Sequence, residues 1–260
     1  FVDYKKDLSI EKAKDVEILY KENEENETFS LTFVYEVGEK HDKLLPLAAS
    51  YMEFLGTEKK TANEIQEELY KLGVSYSFRA SDEQVYVSLR GLNDNMRQAI
   101  FFLEDLFDHV QPNDEALENL KQDILKQRTD VKKNSQAIIG YLFSYGIYGD
   151  ESPAKDILSE EQLGEITSAD LIERIRGLKN YKHKILYYGP MAKDGFVDLI
   201  EQHHRMPETF IEVPAIEDPK ELEITKTKVY VVDYEMKSAT VLMLSNGATY
   251  NHEQQPTISL

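Results

Sequence analysis

Two histidines spaced four residues apart on a helix, with a glutamate nearby, can hold a zinc ion and activate a water molecule. The chain has six histidines, which are His41, His109, His183, His203, His204 and His252. None lies four residues from another on a predicted helix. His203 and His204 are adjacent, so their side chains project about 100° apart and would not chelate one metal ion. We therefore expect ordinary histidines at the surface or at helix ends.

Other reactive side chains also lack partners at a recognisable spacing. Ser50 has no histidine or lysine at the spacing of a serine hydrolase. Glu53 and Glu64 are expected to be solvated or to cap a helix. Gly38 and Gly189 do not have the spacing of a nucleotide-binding loop. The absence of cysteine excludes disulfides, thiol nucleophiles and cysteine-based zinc sites.

Hydrophobic periodicity predicts paired strands, then a block of helices, then one more strand and helix. The predicted strands cover residues 16–21, 28–37, 74–80, 84–92 and 183–188. The predicted helices cover residues 44–55, 61–72, 95–109, 114–133, 135–145, 168–178 and 192–204. Thr61 and Glu64 have the spacing of a capping box, and Ser168 is a good N-cap residue. This order of elements is typical of the mixed α+β class.

One stretch resembles a known family through its surroundings. A strand ends at Val37, an apolar helix closes with Gly56-Thr57, and an amphipathic helix then leads through Gly73 into a new strand. This arrangement resembles the insulinase/pitrilysin family of zinc peptidases. The resemblance extends to residues 166–171 and to the strand that ends at Gly189. It implies the α/β roll of that family, an antiparallel sheet packed by helices, over nearly the whole chain.

The resemblance also implies that the metal chemistry of the family is missing. In active members the helix before Gly-Thr carries H-x-x-E-H. Here the two histidine positions fall on Leu47 and Tyr51, and the glutamate position falls on Ser50. The third ligand, a glutamate on a later helix, aligns with Leu120, and Gln127 takes a neighbouring acidic position. The resemblance therefore implies no catalytic, cofactor-binding or metal-binding residue in this fragment, and zinc is expected in a partner half.

Composition narrows the possible classes of protein. The chain has 260 residues, 41% hydrophobic and 30% charged, enough for one large or two modest globular domains. No apolar run is long enough to span a bilayer. A net charge of −18 argues against nucleic-acid binding, because phosphates would be repelled. The acidic surface is expected to be a solvated exterior, although it could also steer cationic peptides.

The expected domain organisation has three parts. Residues 1-205 form the roll domain, residues 206-226 are a linker rich in proline and charge, and residues 227-260 are the first strands of a second, incomplete roll. Strands are predicted over residues 228–233 and 239–244. The first residues lack the apolar segment of a signal peptide. Both ends are expected to be cut from a longer polypeptide.

Two functions follow as expectations from the resemblance. The first is a non-catalytic half of a zinc metallopeptidase, one wall of a clamshell chamber that binds peptide substrates for a zinc-bearing half. The second is a separate, non-catalytic peptide-binding or scaffold subunit related to processing-peptidase partners or respiratory core proteins. A metal site assembled from distant residues has little support. The periplasm is the expected compartment, by resemblance to bacterial two-half enzymes.

Overall fold

The computed structural model describes residues 8–235 and 239–245. The strands are β1 (Ser9–Ala13), β2 (Val16–Glu22), β3 (Thr28–Tyr35), β4 (Val74–Ala80), β5 (Val85–Leu92) and β6 (His183–Gly189). The helices are α1 (Leu45–Tyr51), α2 (Ala62–Leu72), α3 (Met96–His109), α4 (Asp114–Val131), α5 (Ser135–Tyr148), α6 (Glu160–Glu165), α7 (Ser168–Gly177) and α8 (Lys193–His203). Among the described residues, no helix is both long and apolar enough to cross a membrane.

The six strands form one twisted layer in the order β1-β2-β6-β3-β5-β4. All neighbouring pairs are antiparallel except β2 and β6, which are parallel. The chain reaches β6 only after the helical block, so the last strand is inserted between β2 and β3 at the centre of the sheet. This confirms the expected mixed α+β fold, with one parallel pair in place of a wholly antiparallel sheet.

Buried and exposed residues alternate along the strands, so the sheet has one buried face. In β6 the buried residues alternate with exposed Lys184, Leu186 and Tyr188. Ile18, Ile185, Phe33, Val87 and Phe78 align side by side across five strands, and all are buried. Helices α1, α2, α3 and α8 contact this sheet. Burying each large apolar side chain of this row stabilises the folded state by about 1.5–3 kcal/mol.

Several details differ from the sequence predictions. Strand β1 was not predicted, because only Ala13 of its five residues is buried and the apolar alternation is weak. Residues 228–233 and 239–244 contain no strand. The N-cap of α7 is Thr167 rather than Ser168: Thr167 and Asp170 form a capping box, and Ser168 is buried instead.

The chain divides into two compact units. The first comprises Phe1–Asp123 and Leu158–Ile216 and holds the whole sheet. The second comprises Ile124–Ile157 and Glu217–Leu260. Within the second unit the Leu222 N–H donates to the Ile147 carbonyl (2.7 Å), and the rings of Tyr145 and Tyr230 meet edge to face. The division into residues 1-205, 206-226 and 227-260 stays a prediction.

A series of hydrogen bonds between buried polar side chains lies in the core of the first unit. The Nδ1 atom of His204 lies 2.6 Å from Oε1 of Glu104 on α3. The Nε2 atom of His204 lies 2.8 Å from Nε2 of His183, whose Nδ1 lies 3.1 Å from the Tyr181 carbonyl oxygen. All three side chains are at most 4% exposed. The expectation of surface or helix-end histidines is therefore wrong for His183, which is in the core. His204 does lie at a helix end, as the C-cap residue of α8, but it is buried.

The hydrogen-bond partners of His183 determine which of its ring nitrogens carries a proton. A carbonyl oxygen only accepts, so Nδ1 of His183 carries a proton, and its Nε2 then accepts from Nε2–H of His204. On its other side, His204 forms a hydrogen bond through Nδ1 with the carboxyl group of Glu104. Burial, and next the charge of His204, lower the pKa of His183 to about 4, although its hydrogen bond to Tyr181 opposes the shift.

This arrangement makes the fold sensitive to acid. The charged and titratable groups that face His183 are His204, Glu104 and Tyr35, whose pKa is raised by burial and by the charge of Glu104. Unfolded His183 titrates near its ordinary value of about 6.5. The unfolded state thus binds more protons between that value and about 4, so stability falls as pH is lowered through this window.

We expect His183 to account for about 3 kcal/mol of this loss, at about 1.4 kcal/mol per unit of pKa shift. Urea denaturation between pH 7 and pH 4 measures it. His183→Gln should flatten the pH dependence, because glutamine does not titrate, whereas His109→Gln, at an exposed helix end, should leave it unchanged. Equal pH dependence in the wild-type chain and His183→Gln would contradict the assignment.

Candidate functional site

Helix α1 is held at its start by the aspartate that precedes it. Asp42 accepts the Leu44 N–H through Oδ1 (2.9 Å) and the Arg174 Nε–H through Oδ2 (3.1 Å), which joins this turn to α7. Pro46 lies in the first turn, where its missing N–H costs nothing. The helix tightens into a 3-10 turn over Met52–Phe54, and the chain becomes extended at Leu55.

The three motif positions lie on two sides of α1. Leu47 and Tyr51 are four residues apart on one helix face, and both are buried, Tyr51 completely. Ser50 is exposed, and its hydroxyl donates to the Pro46 carbonyl (3.0 Å). The structure therefore places the two histidine positions together inside the fold and directs the glutamate position to the surface.

The Tyr51 hydroxyl joins three helices. It donates to Oγ of Ser168 on α7 (2.8 Å) and accepts the backbone N–H of Asn113 (2.7 Å). The Ser168 hydroxyl in turn donates to Oδ1 of Asp114, the first residue of α4 (2.6 Å). We call Tyr51, Asn113, Asp114 and Ser168 the tyrosine joint. It ties α1 to the starts of α4 and α7 through contacts that need no metal.

The third-ligand position lies further along α4. Leu120 is half-buried and six residues beyond Asp114, about 9 Å along the helix axis. Its neighbour Lys121 is buried, and its ammonium group donates to Oε1 of Glu118 (2.7 Å) and to the Gly164 carbonyl (3.1 Å). Gln127 is exposed. A buried ammonium group beside this position opposes the approach of a second cation.

These residues do not fit a zinc ion. Leu47 and Leu120 have no ligand atom, and the Tyr51 hydroxyl already has both a donor and an acceptor partner. Across residues 8–235 and 239–245, no group of three or more His, Cys, Asp or Glu side chains is placed to hold a metal ion. His252 lies outside the described residues.

A cavity of about 580 Å³ lies beside the end of α1. It is lined by the 3-10 turn, by residues 56–64 and by residues 111–113, with Glu53, Glu58, Lys59, Lys60 and Glu64 among them. The backbone N–H and then the hydroxyl of Thr61 hold the pKa of Glu64 below its usual range, because both donate to this carboxylate. Glu64 therefore caps α2, as expected, and the lining carries both acidic and basic side chains.

Sequence reasoning missed the partners of Tyr51. Asn113 and Ser168 are 62 and 117 residues away along the chain. Ser168 was interpreted as an N-cap, and no local pattern links either residue to α1. The one available signal was a tyrosine at a position that the fold buries, since a buried tyrosine hydroxyl usually finds a partner.

Comparison with known proteins supports the resemblance to a peptidase family. The sequence pattern of "Insulinase (Peptidase family M16)" matches residues 49–155, which include the end of α1 and all of α4. The beta subunit of the mitochondrial-processing peptidase of Neurospora crassa is 18% identical over 207 residues, covering 78% of this chain and 44% of that protein. These matches support the resemblance to the insulinase/pitrilysin family over part of the chain.

Solved structures share the fold. The periplasmic protease PqqL of Escherichia coli matches with a TM-score of 0.69 at 15% identity, over 85% of this chain and 27% of that one. An M16 peptidase inactive domain from Pseudomonas fluorescens matches with a TM-score of 0.66 at 18% identity, over 82% of this chain and 54% of that one. The chain thus spans about half or less of the proteins that it resembles.

The tyrosine joint can be tested by removing one oxygen atom. Tyr51→Phe should destabilise the chain by about 1–3 kcal/mol, because the Asn113 N–H loses its acceptor and the buried Ser168 hydroxyl loses a donor. Urea denaturation measures the change.

The matched control is Tyr70→Phe on α2, where the side chain is 86% exposed. We expect it to change stability by less than about 0.5 kcal/mol. If both variants lose the same stability, the hydroxyl of Tyr51 does not hold these helices together.

Proposed function

We propose that this chain is the non-catalytic half of an M16 metallopeptidase, and that it forms one wall of a chamber that binds peptides for cleavage by a zinc-bearing half. The observation that carries the proposal is the tyrosine joint. It occupies the face of α1 where active relatives place their metal ligands, and its hydrogen bonds already satisfy the one polar atom at those positions. The likeness to an M16 inactive domain supports it further.

Such a wall contributes without chemistry of its own. Enclosing a substrate against a catalytic half lowers the entropic cost of placing the scissile bond. The sheet offers β1 and β4 as edge strands, where an extended peptide could add main-chain hydrogen bonds. The wall therefore needs shape, a sheet edge and charge. Zinc would be held by the partner half.

A second candidate is a separate, non-catalytic subunit that binds peptides or organises a complex. The likeness to one named subunit of a processing peptidase favours it. In the first candidate this chain is joined covalently to the zinc-bearing half, and in the second it is a separate subunit. In both, catalysis is carried out by another polypeptide segment. In either case we keep the periplasm as the proposed compartment, and PqqL is described as a periplasmic protease.

The non-catalytic proposal predicts that zinc does not convert this chain into a peptidase. After incubation with zinc and dialysis, we expect far less than one zinc ion per chain and no hydrolysis of unstructured fluorogenic peptides. A Glu67→His, Lys71→His variant places two histidines four residues apart on the exposed face of α2 and verifies that the assay detects bound zinc. Zinc-dependent turnover by the unaltered chain would overturn the proposal.

The mass and peptide map of the native polypeptide distinguish the two candidate functions. An antibody against this chain captures it from its source for mass measurement and peptide mapping. A polypeptide several times larger that also yields an H-x-x-E-H peptide supports a fused half. A short polypeptide without that motif supports the separate subunit.

A further inference from the structure

The face of the sheet that points away from the helices carries an exposed apolar row. We call this side the outer face. Ile10, Leu19 and Leu186 are direct cross-strand neighbours on β1, β2 and β6. Ile10 is 63% and Leu186 38% exposed, and Leu19 is half-buried. Strands lie about 4.8 Å apart, so the row extends about 10 Å across the sheet. These adjacent apolar side chains offer a contact surface for the apolar side chains of a ligand.

Cations surround this row. Five lie on the outer face, namely Lys12, Lys21, Arg79, Arg90 and Lys184. Lys12 and Lys184 flank the apolar row on one side, both aligned with Glu17. Lys21 flanks it on the other side, beside the half-exposed Tyr188.

Carboxylates offset part of this charge. Glu17 lies on the outer face itself, and Glu36 at the end of β3 forms an ion pair with Lys184 (2.8 Å). The exposed acidic residues Glu24, Glu25 and Glu27 follow Lys21 in the turn after β2. Among the described residues, neither Lys21 nor Arg90 forms a side-chain ion pair. On the strands of the outer face the cations nevertheless outnumber the carboxylates, although the chain as a whole carries a net charge of −18. A cationic patch kept on so acidic a chain is selective for negatively charged ligands.

We propose that the outer face binds acidic peptide segments, with apolar side chains on the Ile10–Leu19–Leu186 row and carboxylates beside Lys21 and Arg90. This inference rests on the proposed peptide-binding function and names the class of peptide. Charges beyond about 8–10 Å are largely screened at physiological salt, so the local cations outweigh the distant acidic surface. The outer face pairs an apolar row with positive charge, so it favours acidic peptides over basic ones.

The test compares three fluorescein-labelled peptides of about twelve residues that share the same leucine positions. Their remaining variable positions are all Glu, all Gln or all Lys. Fluorescence anisotropy with the full chain measures affinity at about 50 mM and 300 mM salt. We expect the Glu peptide to bind about tenfold more tightly than the Lys peptide at low salt, and this preference to shrink at high salt.

Charge-reversal variants locate the site. Lys21→Glu with Arg90→Glu should weaken binding of the Glu peptide about tenfold and leave binding of the Gln peptide nearly unchanged. The matched control is Lys71→Glu with Arg97→Glu, which makes the same change of charge at exposed positions on α2 and α3. The control should retain at least half of the wild-type affinity. Circular dichroism and the thermal midpoint establish that both variants fold.

The outcomes separate this inference from the proposed function. If all three peptides bind equally and the Lys21/Arg90 variant behaves like its control, the acidic preference is overturned while peptide binding stands. If no peptide binds at any salt concentration, both proposals fail. If the acidic peptide does not bind and sedimentation shows a dimer that Lys21→Glu with Arg90→Glu dissociates, the outer face contacts a second copy of the chain, and the inference is overturned.

Discussion

The hydroxyl group of Tyr51 is the constraint on which the candidate site depends. It lies at a buried position of α1 and satisfies groups at the starts of α4 and α7, so three segments far apart in sequence meet at one oxygen atom. In a zinc peptidase of this family, coordination by the same face of the helix would link helix to helix. Here neutral hydrogen bonds supply the link, and Leu47 fills the remaining space with an apolar side chain. In the proposed non-catalytic role, these helices are thus held together without a metal ion.

The two faces of the sheet also differ in their side chains. The inner face holds the apolar core and one buried polar chain, in which Glu104 and His204 are paired and His183 is kept neutral. A buried charge is tolerated only where such pairing exists. The outer face, in contrast, keeps its cations near solvent around a short apolar row. The inner face therefore contains the buried contacts that stabilise the fold, and the proposed peptide-binding surface lies on the outer face.

The sequence allowed the elements to be predicted better than their contacts. Alternation in residues 28–37 and the capping box of Thr61 and Glu64 are local, and the structure forms both the strand and the cap. The partners of Tyr51 and of His183 are distant in sequence, so no periodicity could pair them. Residues 228–233 alternate like a strand, yet a strand also needs a neighbour to satisfy its backbone, and no ladder forms there. The sequence predicted that Leu47 and Tyr51 occupy two metal-ligand positions of the family, but it could not predict the hydrogen bonds that the Tyr51 hydroxyl forms.

The most direct test of this account is an anomalous difference map, recorded at the zinc absorption edge from crystals of the chain grown with zinc. Zinc bound by protein ligands lies about 2.0–2.3 Å from them. We expect no peak at that distance from the side chain of Tyr51, and we expect its hydroxyl to remain bonded to Ser168 and Asn113. A strong peak between α1 and α4, with the tyrosine joint broken, would contradict the claim that hydrogen bonds have replaced the metal.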